Sequence, residues 1–155
     1  MKKSVILLFF LFISVAIQAQ KSDLVWHTDI EAATRLSVSE NKPLLLFFTG
    51  SDWCGWCIRL QREVLLTAEF EKWAKENVVL VELDFPKHKE LDEKTKAQNN
   101  GLQQLFQVQG FPTVWFVKAS KIETKTNIQQ LGKTGYVAGG PLVWIETANK
   151  MIEKK

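Results

Sequence analysis

Two cysteines constrain this chain more than any other feature. Cys54 and Cys57 are its only ones, and they follow a continuous apolar run, Leu44-Leu45-Leu46-Phe47-Phe48, across a short loop, Thr49-Gly50-Ser51. Such a run is expected of a strand buried on both faces. Ile58 to Leu66 comes next, and Cys57, Leu60 and Val64 share one helical face. Cys54 therefore stands at the mouth of a helix and Cys57 one turn deeper. A helix N-terminus offers unpaired N–H groups and the positive end of the dipole. Both favour a thiolate, the form that attacks disulfides. The spacing predicts Cys54 as nucleophile and Cys57 as the resolving thiol that releases a partner from a mixed disulfide.

Other uses of the pair are weaker. As a staple, a four-residue loop yields only about 2 kcal/mol by the chain-entropy estimate. A closed zinc site needs ligands beyond two thiolates, and the only histidines are His27 and His88. A soft ion such as Cu(I) accepts two sulfurs, so a copper carrier or chaperone-like binding module is the alternative function. Two cysteines exclude a disulfide-dense mini-protein.

The N-terminus looks like a secretory leader. Lys2 and Lys3 precede thirteen residues, Val5 to Ile17, that are apolar except for Ser14. That is short of the roughly 20 residues a membrane span needs and fits a signal peptide. The expected division is a signal at 1–19 and one domain at 20–155, with no stable membrane anchor after cleavage. Removal of 1–19 leaves 18 basic and 17 acidic residues. Nothing there forms the concentrated basic face of a nucleic-acid binder.

Along the domain, Thr28 is expected to cap a helix through Glu40, with Glu31 completing a capping box and Ile30, Ala33 and Leu36 inward. Asn41-Lys42-Pro43 stops it. Thr67 caps a further helix with Phe70, Trp73 and Ala74 inside, and Val78 to Leu83 is a second buried strand. Asp84 to Asn100 is a loop and a solvated helix. Val114 to Val117 is a third strand, Ala119-Ser120-Lys121 a hairpin turn, Lys121 to Leu131 a weaker strand, and Gly132 to Gly140 irregular. Pro141 opens a last helix with Leu142, Ile145 and Ile152 among its apolar positions. Strands alternating with helices argue for an α/β sandwich around a central mixed sheet of four to five strands.

Trp53-Cys54-Gly55-Trp56-Cys57 after an apolar strand, with Phe111-Pro112-Thr113 before a later one, resembles the thioredoxin superfamily. Thr49 to Cys57, Leu83-Asp84-Phe85-Pro86 and Gly110-Phe111-Pro112-Thr113 together resemble a secreted bacterial branch of it. The resemblance covers roughly Trp26 to the C-terminus. It implies a thioredoxin-like fold and a cis bond before Pro112, which faces the cysteines while the backbone at Phe111 pairs with an extended substrate. Trp53, Gly55 and Trp56 would rim the same groove; for the two tryptophans the alternative is ordinary packing.

Two departures stand out. Thioredoxin has proline where this chain has Trp56, so its redox potential does not carry over. Thioredoxin also keeps a buried carboxylate in the strand before the motif, and Leu44 to Phe48 contains no acid. The position aligned with Glu82 is a lysine in thioredoxin. Glu82 is the candidate to supply the missing acid from the neighbouring strand, its pKa raised by burial for proton transfer; the alternative is that it faces solvent or makes a structural bond. Asp52 is a weaker candidate, expected exposed on the loop.

The resulting expectation is a secreted, periplasmic thiol–disulfide oxidoreductase of the protein-disulfide reductase or isomerase type. Its partners are protein disulfides or dithiols and a redox protein that supplies or takes electrons. It uses no organic cofactor and no metal. The absence of room for an extra dimerisation domain favours a monomeric reductase.

Overall fold

The structure, a computed structural model, describes residues 23–122 and 125–153. The expected signal at 1–19 lies outside them. Five strands form one sheet in the order β1–β3–β2–β4–β5, with β1 at Trp26–His27, β2 at Leu44–Thr49, β3 at Val79–Asp84, β4 at Thr113–Ile122 and β5 at Lys125–Thr134. The helices are α1 (Ile30–Glu40), α2 (Gly55–Leu60), α3 (Ala68–Asn77), α4 (Glu93–Leu105) and α5 (Gly140–Ile152). This is the mixed α/β sandwich that the chain order implied.

The apolar run of β2 is the middle of the sheet. It pairs parallel with β3 and antiparallel with β4, and all six of its residues are buried. Successive side chains go to opposite faces. Leu45 and Phe47 join a core with Cys54, Cys57, Leu60, Phe70 and Trp144. Leu44, Leu46 and Phe48 join a second core with Ala33, Phe106 and Val108. The sheet thus separates α2, α3 and α5 on the cysteine face from α1 and α4 on the other.

Local chemistry moves several boundaries. The cap of α1 is Asp29, not Thr28: its carboxylate accepts from the amides of Glu31 at 2.8 Å and Ala32 at 3.1 Å. Asn41 closes that helix in the left-handed region, at φ 52°. The helix carrying Cys57 ends as an α-helix at Leu60 and continues as a π turn, Gln61–Leu65. Its wider turn is closed by the Leu66 amide on the Gln61 carbonyl at 2.9 Å, and Val64 and Leu65 are both buried. Thr67 caps α3, as its position suggested.

Two further expectations fail. Trp26 and His27, to which the sequence pattern assigns no element, form the edge strand β1 against Leu80 and Val81. Trp26 packs there against Phe70 and Phe47. Ala119-Ser120-Lys121 is not a turn but part of the outer half of a long hairpin arm, in register with Ile128, Asn127 and Thr126. Backbone pairing with β5 carries β4 through these residues, and Ala119 still reaches the second core. In α5, Trp144 and Ala148 are the buried stripe and Leu142 faces solvent, while Ile145 and Ile152 are partly buried against the core. Leu142 lies two residues before Trp144, about 200° away around the helix.

Candidate active site

The loop after β2 folds back on Gly50, whose carbonyl accepts from the amides of Trp53 at 3.2 Å and Cys54 at 2.8 Å. That turn delivers Cys54 to the N-cap of α2, in extended conformation, with its Sγ accepting from the Cys57 amide at 3.2 Å. Cys54 and Cys57 are joined as a disulfide. Cys54 is 6% exposed and Cys57 fully buried. The two residues therefore differ in access, and the slightly exposed one caps the positive end of the helix.

The Phe111–Pro112 bond is cis. Phe111 meets Trp53 edge-on, with ring centroids 5.9 Å apart, and lies against Phe85 at 5.1 Å. The Trp53 indole donates to the Phe85 carbonyl at 2.8 Å, and Lys87 Nζ sits 4.0 Å from the centroid of its ring. Trp53 keeps 38% of its surface exposed and Trp56 keeps 56%. Trp56 belongs to a different aromatic group, 5.3 Å from the ring of Tyr136. Gly55 is exposed, with open space where a side chain would be. The structure thus gathers Trp53 with Phe111 and sets Trp56 apart with Tyr136.

Glu82 is half-buried on β3, in register with Phe47 of β2. Leu80, two residues before it, belongs to the cysteine-face core, so strand alternation puts Glu82 on that face. Burial pushes its carboxyl above the usual range; the nearby Asp84 charge adds to this and Lys89 opposes it. Asp84 itself is buried and tied: it accepts from the Ser51 amide at 2.9 Å and the Ser51 hydroxyl at 2.6 Å, and pairs with Lys89 at 2.8 Å. Asp52 is not simply exposed on its loop. Its carboxylate accepts from the amides of Lys87 at 2.9 Å and His88 at 2.7 Å, and these bonds hold its pKa down. Asp52 and Asp84 together tie the loop before the cysteines to the loop after β3.

Sequence reasoning missed Tyr136, Arg59 and Glu63. Tyr136 is the chain's only tyrosine, and a lone tyrosine among glycines ahead of the last helix was the available signal. Among the described residues, no group of three or more His, Cys, Asp or Glu side chains could hold a metal ion. No described helix is long and apolar enough to cross a membrane.

This sheet, with a cysteine pair capping the helix after its central strand, defines a thioredoxin-like oxidoreductase. The chain belongs to the thioredoxin-like domain family, which matches residues 30–126. It is 33% identical to a Chlamydia pneumoniae protein named disulfide bond reductase DsbH, over 85% of this chain and 75% of that one. A second C. pneumoniae protein, thioredoxin-related protein DsbJ, is 33% identical over 77% of this chain, which spans only 33% of it. A solved DsbH oxidoreductase superposes with a TM-score of 0.71 at 30% identity, covering 85% of this chain and 86% of the other.

Proposed function

We propose that this protein is a periplasmic protein-disulfide reductase, exported by a cleaved leader at 1–19 and acting as a monomer through residues 20–155. The observation that carries the reading is the asymmetry of the pair: one slightly exposed cysteine capping α2, one fully buried cysteine behind it. In the reduced protein the Cys54 thiolate attacks a substrate disulfide, forming a mixed disulfide and releasing one substrate thiolate. The Cys57 thiolate then attacks Cys54 Sγ, the second substrate thiolate leaves, and two electrons have passed to the substrate. A redox partner protein restores the dithiol. The C. pneumoniae relative is named a disulfide bond reductase, which supports this direction over oxidation.

Trp53, Gly55, Trp56, Phe111 and Pro112 rim the substrate groove in this reading. Glu82 takes and returns the Cys57 proton, a role that suits an acid whose pKa burial raises. Its half-buried place on the cysteine face and its raised pKa support this.

The test is the reduction potential of the pair in glutathione buffers, run with a Cys57→Ser trap. References run from about −270 mV for thioredoxin to about −120 mV for a strong periplasmic oxidase. A value near the reducing end, with substrate proteins accumulating on Cys54 of the trap, is expected. A value near the oxidising end would make the protein a disulfide donor and overturn the proposed direction.

A further inference from the structure

We propose that Tyr136 is a specificity-determining residue of the exchange site, fixing the Trp56 indole as a wall that selects disulfides flanked by a large apolar or aromatic side chain. The inference rests on the reading of Cys54 as the exchanging thiol.

An exposed tryptophan at the start of a helix would ordinarily be free to change rotamer. Trp56 is held in a closed ring of contacts. Its indole packs on Tyr136 at 5.3 Å. The Arg59 guanidinium lies 5.4 Å from the Trp56 ring and 4.9 Å from the Tyr136 ring. Glu63 closes the ring: its Oε1 accepts from Arg59 Nε at 2.9 Å and its Oε2 from the Tyr136 hydroxyl at 2.6 Å. Those two donors hold the Glu63 carboxyl ionised below its usual range. The four residues come from α2, the π turn and the loop before α5, so the arrangement is tertiary.

What the ring presents outward is also specific. Glu63 pairs with Arg59 at 2.9 Å, and Arg62 approaches the same carboxylate at 3.6 Å. The apolar part of this face is the Trp56 indole, 56% exposed. A rigid, half-exposed aromatic face favours an aromatic or large apolar partner. Such a surface bears on the residue next to the substrate cysteine, because Trp56 itself stands between the two cysteines.

The experiment uses pre-reduced protein in single turnover against two symmetric peptide disulfides, identical except for Phe or Ser after the cysteine. Each reaction passes two electrons from the protein dithiol to the peptide disulfide, releases two peptide thiols and leaves Cys54 and Cys57 oxidised. The Phe peptide is expected to react about 5-fold faster with the wild type. In Tyr136→Ala that ratio falls toward one, through the concentration dependence and not the limiting rate. Tyr136→Phe, which keeps the ring but loses the Glu63 bond, restores part of it. A wild-type ratio of one, or an unchanged ratio in Tyr136→Ala with a native denaturation midpoint, overturns the proposal. Wild-type exchange with 2-hydroxyethyl disulfide, which has no flanking side chain, separates the two readings. Failure there overturns the role of Cys54 itself, and with it this inference.

Discussion

The indole of Trp53 occupies the space that a side chain on Gly50 would need: a Cβ built there meets the ring at 2.5 Å. The same two residues are joined through the backbone, Trp53 N–H on the Gly50 carbonyl at 3.2 Å. Gly50→Ala must therefore push a rigid ring off the Phe85 carbonyl. Overpacking of this kind costs about 1–3 kcal/mol. The expected result is an unfolding free energy, read from urea denaturation, lowered by that amount; an unchanged urea midpoint would show that the loop can shift without loss.

Glu82 carries a raised pKa because burial disfavours its charge. A raised carboxyl pKa means that the folded state binds the proton more tightly than the unfolded one. The group's favourable contribution is present below the unfolded pKa and is lost as pH rises through the folded pKa. Glu82→Gln should therefore raise stability at neutral pH, with the gain shrinking as pH falls. Most substitutions destabilise by about 1 kcal/mol, so the sign is diagnostic. Denaturation curves from about pH 4, near a carboxyl's ordinary value, up to about pH 8 read it directly. A Gln variant less stable than wild type at neutral pH would mean that the carboxylate makes a bond worth more than its burial costs.

After reduction, Cys54 should alkylate before Cys57 and at a pH below the ordinary thiol pKa of about 8.5. The reason is access together with the helix end: Cys54 is slightly exposed and caps α2, and Cys57 is buried. Peptide mapping after brief iodoacetamide treatment gives the order. Equal labelling of both would remove the physical basis for assigning them different roles.

Asn99 supports the site from behind. It is buried on α4, and its side-chain amide donates to the Asp84 carbonyl at 2.9 Å. Asn99→Leu leaves that carbonyl without this donor, a change that costs about 1–3 kcal/mol. Chemical denaturation measures the loss. A drop well below that range would mean that water replaces the amide.

The parts of the fold that were legible from sequence are those whose signal is local or periodic. The β2 run, the Thr67 cap, the inner face of α3 and the Cys54–Cys57 junction each follow from a few adjacent residues. The β4–β5 hairpin was legible as a strand, a turn and a weaker strand, but the length of its arms was not, because the outer residues are largely polar and lack an apolar run. Strand β1 was hidden for a similar reason: two residues have no period, and only Leu80 and Val81 make them a strand. In the site, Trp53, Trp56 and Phe111 could be named from the motifs. Tyr136 and Glu63 could not be joined to Trp56, because their bond spans 73 positions of sequence. Asp52 illustrates the same limit, since its partners at Lys87 and His88 lie across a loop that sequence alone does not fold.

The first turn of α2 is capped by sulfur, where most helices use oxygen. In the oxidised chain that acceptor is neutral. Two-electron uptake turns it into a thiolate, and hydrogen bonds to a charged partner are roughly twice as strong as neutral ones. The Cys57 amide is therefore gripped more firmly in the charged-up state and released as the electrons depart. Helix integrity and electron count become linked variables: whatever frays the start of α2 makes the protein a readier donor, and whatever reinforces it makes the protein hold its electrons longer.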